Sequence, residues 1–263
     1  MLTSAAPKRH RQGERRVEGH GRRRRSRRAP WYRTLFTTIP ASRLAATAAA
    51  LVVLVGLCFH AGAMGLAHLQ AMHAEHAMER WQVRGKVESE RSMGDALASI
   101  DRAMQLHPDN PYLISLKARA LEWRAYTSAT NSAGGAAKDY RQALTLYREA
   151  ARLRPIWPDT RAEMINVKLN LGQQDPELDN LIHRAHQLGP YTPAVHNAVV
   201  RAELARGRTG SELLQTHLVR GVQDHRSRGQ VLQLVESYNQ QDVACQLLSQ
   251  NEDLKYRPRF CQQ

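Results

Sequence analysis

The chain has 263 residues and carries 38 Lys and Arg against 24 Asp and Glu, a formal net charge of +14. That charge is not spread evenly. Residues 1 to 43 hold thirteen Lys and Arg against only Glu14 and Glu18, so eleven of the fourteen excess charges sit there. The basic balance therefore describes a tail and excludes a folded basic domain of the kind that grips nucleic acid over its whole surface.

Residues 1–40 form that tail. Large apolar side chains are almost absent before Trp31, so the segment has nothing with which to bury a core and is expected to be disordered. Residues 41–67 are expected to form a transmembrane helix. Their centre, Leu44 to Ala67, holds 24 residues with no carboxylate, Lys or Arg, and only Thr47 and His60 are notably polar. About 20 apolar residues suffice to cross a bilayer. The arginines between Arg22 and Arg28 precede this run, which puts the tail in the cytoplasm and the rest of the chain across the membrane. A cleavable signal peptide, with Ala61-Gly-Ala63 as its processing site, is the alternative. The arginine cluster also suits a phosphate backbone, but its place directly before a membrane span makes topology and anionic lipid the simpler account. No nucleic-acid partner is expected.

Residues 68–263 are expected to be a periplasmic helical domain. Pro-x-x-Pro occurs three times, at Pro108/Pro111, Pro155/Pro158 and Pro190/Pro193, in steps of 47 and 35 residues. The first proline of each pair closes one amphipathic segment. The second falls in the first turn of the next helix, where a missing N–H is tolerated. Ahead of each pair stands the same spacing: Ala96, Ile100, Ala103; Ala143, Tyr147, Ala150; Leu178, Ile182, Ala185. Steps of four and three put each trio on one helix face. This small–large–small pattern before a proline resembles the second helix of a tetratricopeptide repeat, whose unit is about 34 residues. Gly172 and Gly207 fall where that family has an inter-helix glycine, suited to a left-handed helix end. The family's early aromatic is replaced by Ile114, Arg161 and His196. The expected fold class is thus all-α, a tetratricopeptide-like solenoid behind one membrane helix.

The longer first step implies an insertion, placed as a flexible loop over Thr127 to Lys138. Cys58 lies in the membrane run, whereas Cys245 and Cys261 lie past the recognisable repeats and are expected to pair in an oxidising periplasm. Closing such a loop stabilises by about 3 kcal/mol on the chain-entropy model.

No phosphate-binding glycine loop, G-x-S-x-G or C-x-x-C is present. His73, His76 and Glu79 lie close in sequence, but their setting reads as a solvated helix, so neither metal nor cofactor is expected. A divergent glycan-processing enzyme would need two carboxylates in one cleft, about 5 to 10 Å apart. The chain is instead expected to be a non-catalytic binding protein. Counting from the helix-opening prolines puts Arg119, Asn166, Asn197 and Arg201 on the concave face as partner-binding residues, suited to an acidic or anionic partner.

The stretches ALASIDRAMQLHPDNPYLISLKARALEWRAY and YREAARLRPIWPDTRAEMINVKLNLGQ, with the ending VACQLL and RPRFC, resemble the VpsP family of bacterial polysaccharide-biosynthesis proteins over residues 68 to 263. The resemblance implies one membrane helix, degenerate helical repeats and a cysteine-containing end. It also implies a scaffolding role in exopolysaccharide biosynthesis or export at the bacterial inner membrane, through protein–protein interactions, with no catalytic residue. The anchor and repeats suit equally a periplasmic peptide-binding chaperone for cytochrome c maturation or envelope biogenesis.

Overall fold

A computed structural model describes residues 40–128, 133–251 and 254–262. The basic tail expected over residues 1–40 lies outside them save for Pro40. Among the described residues there are ten α-helices and no strand. They are α1 (Ala41–Arg84), α2 (Glu90–Leu106), α3 (Pro111–Ser128), α4 (Ala133–Leu153), α5 (Pro158–Asn170), α6 (Pro176–Leu188), α7 (Pro193–Ala205), α8 (Glu212–Gln223), α9 (Arg228–Ser237) and α10 (Gln241–Ser249). A single 3₁₀ turn, Arg259–Cys261, follows.

The chain divides into two units, one ending at Val55 and one beginning at Gly56. In the first, Leu51 to Val55 are all exposed. α1 is the one helix among the described residues long and apolar enough to cross a membrane. In the second unit the character of α1 changes within one residue. Leu66 is 56 % exposed, while Ala67 is 2 % exposed. From there Ala67, Ala71, Ala74, Met78 and Trp81 pack against Met93, Ala96, Ile100 and Ala103 of α2 and Leu113 and Leu116 of α3. Trp81 Nε1 donates to Ser92 Oγ at 3.2 Å, which satisfies the only polar atom of a fully buried indole.

Local chemistry accounts for where the helices begin. Pro111, Pro158 and Pro193 each start one. α2, α6 and α8 are capped by Ser89, Asp175 and Ser211, whose side chains accept from the N–H groups of Ser92, Leu178 and Leu214. Helix ends are equally local. Gly172 and Gly207 take φ of 67° and 66°, which relieves the penalty a Cβ would incur there. In the same turns Gln173 N–H reaches Lys168 O and Arg208 N–H reaches Glu203 O, both at 2.9 Å, the six-to-one bond of a Schellman end. Asn239, φ 53°, ends α9 in the same way without glycine.

All nine residues of the three small–large–small trios are buried. The core is a row of linked clusters, one spanning α1 to α3, one α3 to α7 and one α7 to α10. Each helix packs on its chain neighbour, α5 also packs on α7, and α7 on α9. Close approach is required at Gly189, where an added Cβ would lie 2.6 Å from Pro158 Cβ. It is required again at Gly221, where it would lie 2.8 Å from Val231 Cγ2. An ion network centred on one buried lysine ties the middle helices together. Lys168 Nζ, on a side chain 1 % exposed, lies 2.8 Å from Asp175 Oδ2 and 2.7 Å from Glu177 Oε2, and Glu177 also pairs with Arg148 of α4.

The expected loop over 127–138 is corrected. α3 continues through Thr127 and Ser128, and α4 already includes 133–138. Alanine at 133, 136 and 137 favours helix enough to carry Gly134 and Gly135 in its first turn. Residues 129–132 of that segment lie outside the described residues. At the other end Cys245 of α10 is bonded to Cys261, with Cα atoms 5.4 Å apart. Leu254, Tyr256 and Phe260 lie against the last cluster, and Gln223 Nε2 donates to Tyr256 O at 3.0 Å.

Candidate functional site

α3, α5, α7 and α9, three of them opened by the second proline of a Pro-x-x-Pro pair, wall a polar groove. It consists of three adjoining cavities. Arg119 is common to the first two, and Glu122 and Asn170 are common to the first and third. The four residues expected on the concave face all line it: Arg119 in the α3 portion, and Asn166, Asn197 and Arg201 in the α5–α9 portion.

The arginines are engaged from within. Arg201 donates to Asn166 Oδ1 at 3.2 Å and to Asn170 Oδ1 at 2.6 Å. Arg119 stands where its charge acts on both Glu122 and Glu163. The Arg201 guanidinium is thus hydrogen-bonded to its neighbours rather than standing alone to clamp a carboxylate.

Glu122, Asp159 and Glu163 line this groove, and local sequence marked none of them. Tyr147 of α4, the large residue of its trio, donates from its hydroxyl to Glu122 Oε1 at 2.5 Å. Burial, then the charge of Glu163, raises the Glu122 carboxyl to about 8, against the pull of the Tyr147 bond and of Arg119 and Arg201. Burial raises Glu163 too, with Arg119 and Asn166 opposing it. Burial holds the Tyr147 phenol well above its ordinary value, and the Glu122 charge adds to this. A carboxyl kept protonated near neutral pH presents both a donor and an acceptor to a ligand in the groove.

A second polar cluster lies away from the groove, among α6, α7 and α8. His186 Nδ1 is 2.9 Å from His217 Nε2, and His196 Nδ1 is 2.9 Å from His217 Nδ1. His196 occupies the slot where an aromatic was missed from the sequence, and it is 1 % exposed. A neutral imidazole donates from one nitrogen and accepts at the other, so His217 joins its neighbours into one directional chain. Burial lowers His217 to about 3, with the other two imidazoles and Arg220 adding. Burial likewise lowers His196 to about 4, with Asp224 opposing and Arg220 and Arg226 adding. His217 turns its two nitrogens toward different partners, so the lone pairs do not converge. Among the described residues no group of three or more His, Cys, Asp or Glu is placed to hold a metal. His76 and Glu79 form an exposed contact of 3.1 Å on α1. The signal that would have found the histidine chain is the fourth occurrence of the trio spacing, Leu214, Leu218 and Gly221, which has no proline behind it.

No protein-family model matches the chain, and no curated protein shows significant similarity to it.

Proposed function

We propose that this protein is a non-catalytic, membrane-anchored accessory protein of bacterial exopolysaccharide biosynthesis or export. In this reading α1 is a single inner-membrane anchor with the tail in the cytoplasm. The helices from α2 onward form a degenerate tetratricopeptide-like solenoid in the periplasm that recruits proteins of the synthesis and export complex. The observation that carries it is the continuous groove walled by alternate helices α3, α5, α7 and α9. Alternate helices on one face are what a stack of helix pairs offers to an extended partner. The resemblance of residues 68 to 263 to the VpsP family supplies the polysaccharide context, and the apolar, unburied half of α1 supplies the anchor. The Cys245–Cys261 bond suits an oxidising compartment.

Deletion of the gene, with the secreted polysaccharide measured for amount and chain length, tests the reading. Less polymer or an altered length distribution supports it, and an unchanged polymer overturns it. A phosphatase fused after Gln263 tests the topology: activity retained in the membrane fraction is expected.

A further inference from the structure

The geometry points to a second role for the α5–α9 portion of the groove: it is a binding site for a neutral, hydroxyl-rich oligosaccharide, an inference that rests on the polysaccharide reading above and names the ligand class of the same site.

The lining sets the ligand chemistry. This cavity, of about 440 Å³, is walled by the carboxamides of Asn166, Asn170, Asn197, Gln230 and Gln233 together with Glu122, Arg201 and Ser237, with Leu234 its one aliphatic side chain. Four of its five carboxamides come from two pairs, each placed about one turn apart on α5 or α9, and Asn197 of α7 stands with them. A carboxamide carries a donor and an acceptor on one planar group, and so does a sugar hydroxyl. A row of carboxamides therefore meets a polyol with every group able to pair either way.

The cavity's one cation is held by neighbouring amides, and the Glu122 carboxyl lies within reach of its charge. Arg201 spends donors on Asn166 Oδ1 and Asn170 Oδ1, which fixes those amides with their oxygens toward the guanidinium; the Asn166 NH₂ is then turned to Glu163, and the Asn170 NH₂ is left to a ligand. A peptide is anchored by apolar pockets for alternate side chains or by unpaired cations for its carboxylate. Leu234 alone supplies neither.

Asn197 gives the independent sign of an absent partner. Its Nδ2 donates to Gln230 Oε1, but its Oδ1 is buried with no hydrogen-bond partner. Such an acceptor is costly to bury unmet, by about 1–3 kcal/mol, and is rare in folded proteins. A ligand hydroxyl would donate to it. At the far end of the groove Tyr112 and Trp157 line a further cavity with Arg119 and Glu163, and the Arg154 guanidinium lies 4.8 Å over the Trp157 ring. The cavity between them shares Arg119 with one and Glu122 and Asn170 with the other, so one chain of several sugar units could run along all three.

The test uses the full-length protein in phosphatidylethanolamine/phosphatidylglycerol nanodiscs. Neutral oligosaccharides from mild acid hydrolysis of the producing cell's own secreted polysaccharide are titrated by calorimetry, beside a pool of peptides with free acidic C-termini. Binding of the sugars is expected, weakened by about tenfold or more in Asn197→Ala/Gln230→Ala, since two hydrogen bonds are removed. Asn166→Ala, on another helix, is expected to weaken it too, and unfolding temperatures identify any variant that merely misfolds. Failure of the neutral sugars to bind folded wild-type protein, binding that the folded variants leave unchanged, or binding of the peptides alone would each overturn the inference. The deletion phenotype separates the two levels. A polymer defect on deletion with no sugar binding leaves the accessory role standing without this site. Sugar binding that depends on Asn197, with no polymer defect on deletion, leaves the site without that role.

Discussion

Glu122, held by Tyr147 on the groove side of α3 and α4, keeps a proton at neutral pH, whereas His196 and His217, packed between α7 and α8, refuse one. The cause is the same in both places. Losing water disfavours whichever form is charged, so a buried acid stays neutral by holding its proton and a buried base by releasing it. The two clusters should therefore pull stability in opposite directions as pH changes.

The largest expected effect comes from breaking the imidazole chain. His217→Ala removes a fully buried ring and strands His186 and His196, and should cost about 2–4 kcal/mol in urea unfolding of the full chain in detergent at neutral pH. A loss under about 0.5 kcal/mol would mean that the chain contributes nothing to packing. The pH response of the wild type comes next. His196 and His217 titrate near 4 and 3 when folded against 6.5 when unfolded. Below 6.5 the unfolded chain thus binds more protons. The contribution is complete above pH 6.5 and is lost as pH falls toward the folded values, by about 2 kcal/mol or more by pH 5. Arg220 and Arg226 strengthen this by repulsion, and Asp224 opposes it. A paired His196→Leu/His217→Leu variant should lose that slope.

Glu122 works the other way and more weakly, because part of its surface faces the groove. Its folded value of about 8 lies above the ordinary 4.5, so its contribution is complete below 4.5 and is lost as pH rises toward 8. After allowance for solvent screening, about 1 kcal/mol is at stake. Glu122→Gln should remove the slope this group adds between pH 4.5 and about 8 and leave the region below 4.5 unchanged. The smallest effect belongs to Tyr147→Phe, at about 1 kcal/mol. That bond favours the ionised carboxylate, so its loss should move the Glu122 titration, followed by carboxyl NMR, further upward. A downward move would contradict the assignment.

Most of the helical frame was legible from local signals. Pro111, Pro158 and Pro193 start helices, Gly172 and Gly207 end them, and the Ala96, Ala143 and Leu178 trios are buried throughout. These features act within one or two turns, which is the range over which a sequence pattern carries its own physics. The residues of the groove expected from proline counting also fell on it, because helix register fixes which positions share a face. α9 and α10 carry no Pro-x-x-Pro, and Asn239 replaces glycine between them, so their pairing had no such marker. The loop expected over 127–138 failed for a related reason: composition weighs Ser and Gly as loop formers, but alanine and packing on α3 extended the helices instead.

The sequence by itself determined the helical character of the described residues, the apolar run of α1 though not its continuation to Arg84, and the residues that punctuate the rest, since each depends on neighbours a few positions away. Only the tertiary structure decided which polar groups lost water and whom they met. Tyr147 reaches Glu122 across 25 residues, His217 reaches His196 across 21, and Arg201 reaches Asn166 across 35. Protonation and hydrogen bonding at those sites depend on burial and on charges brought in by other helices, and no spacing along the chain encodes either.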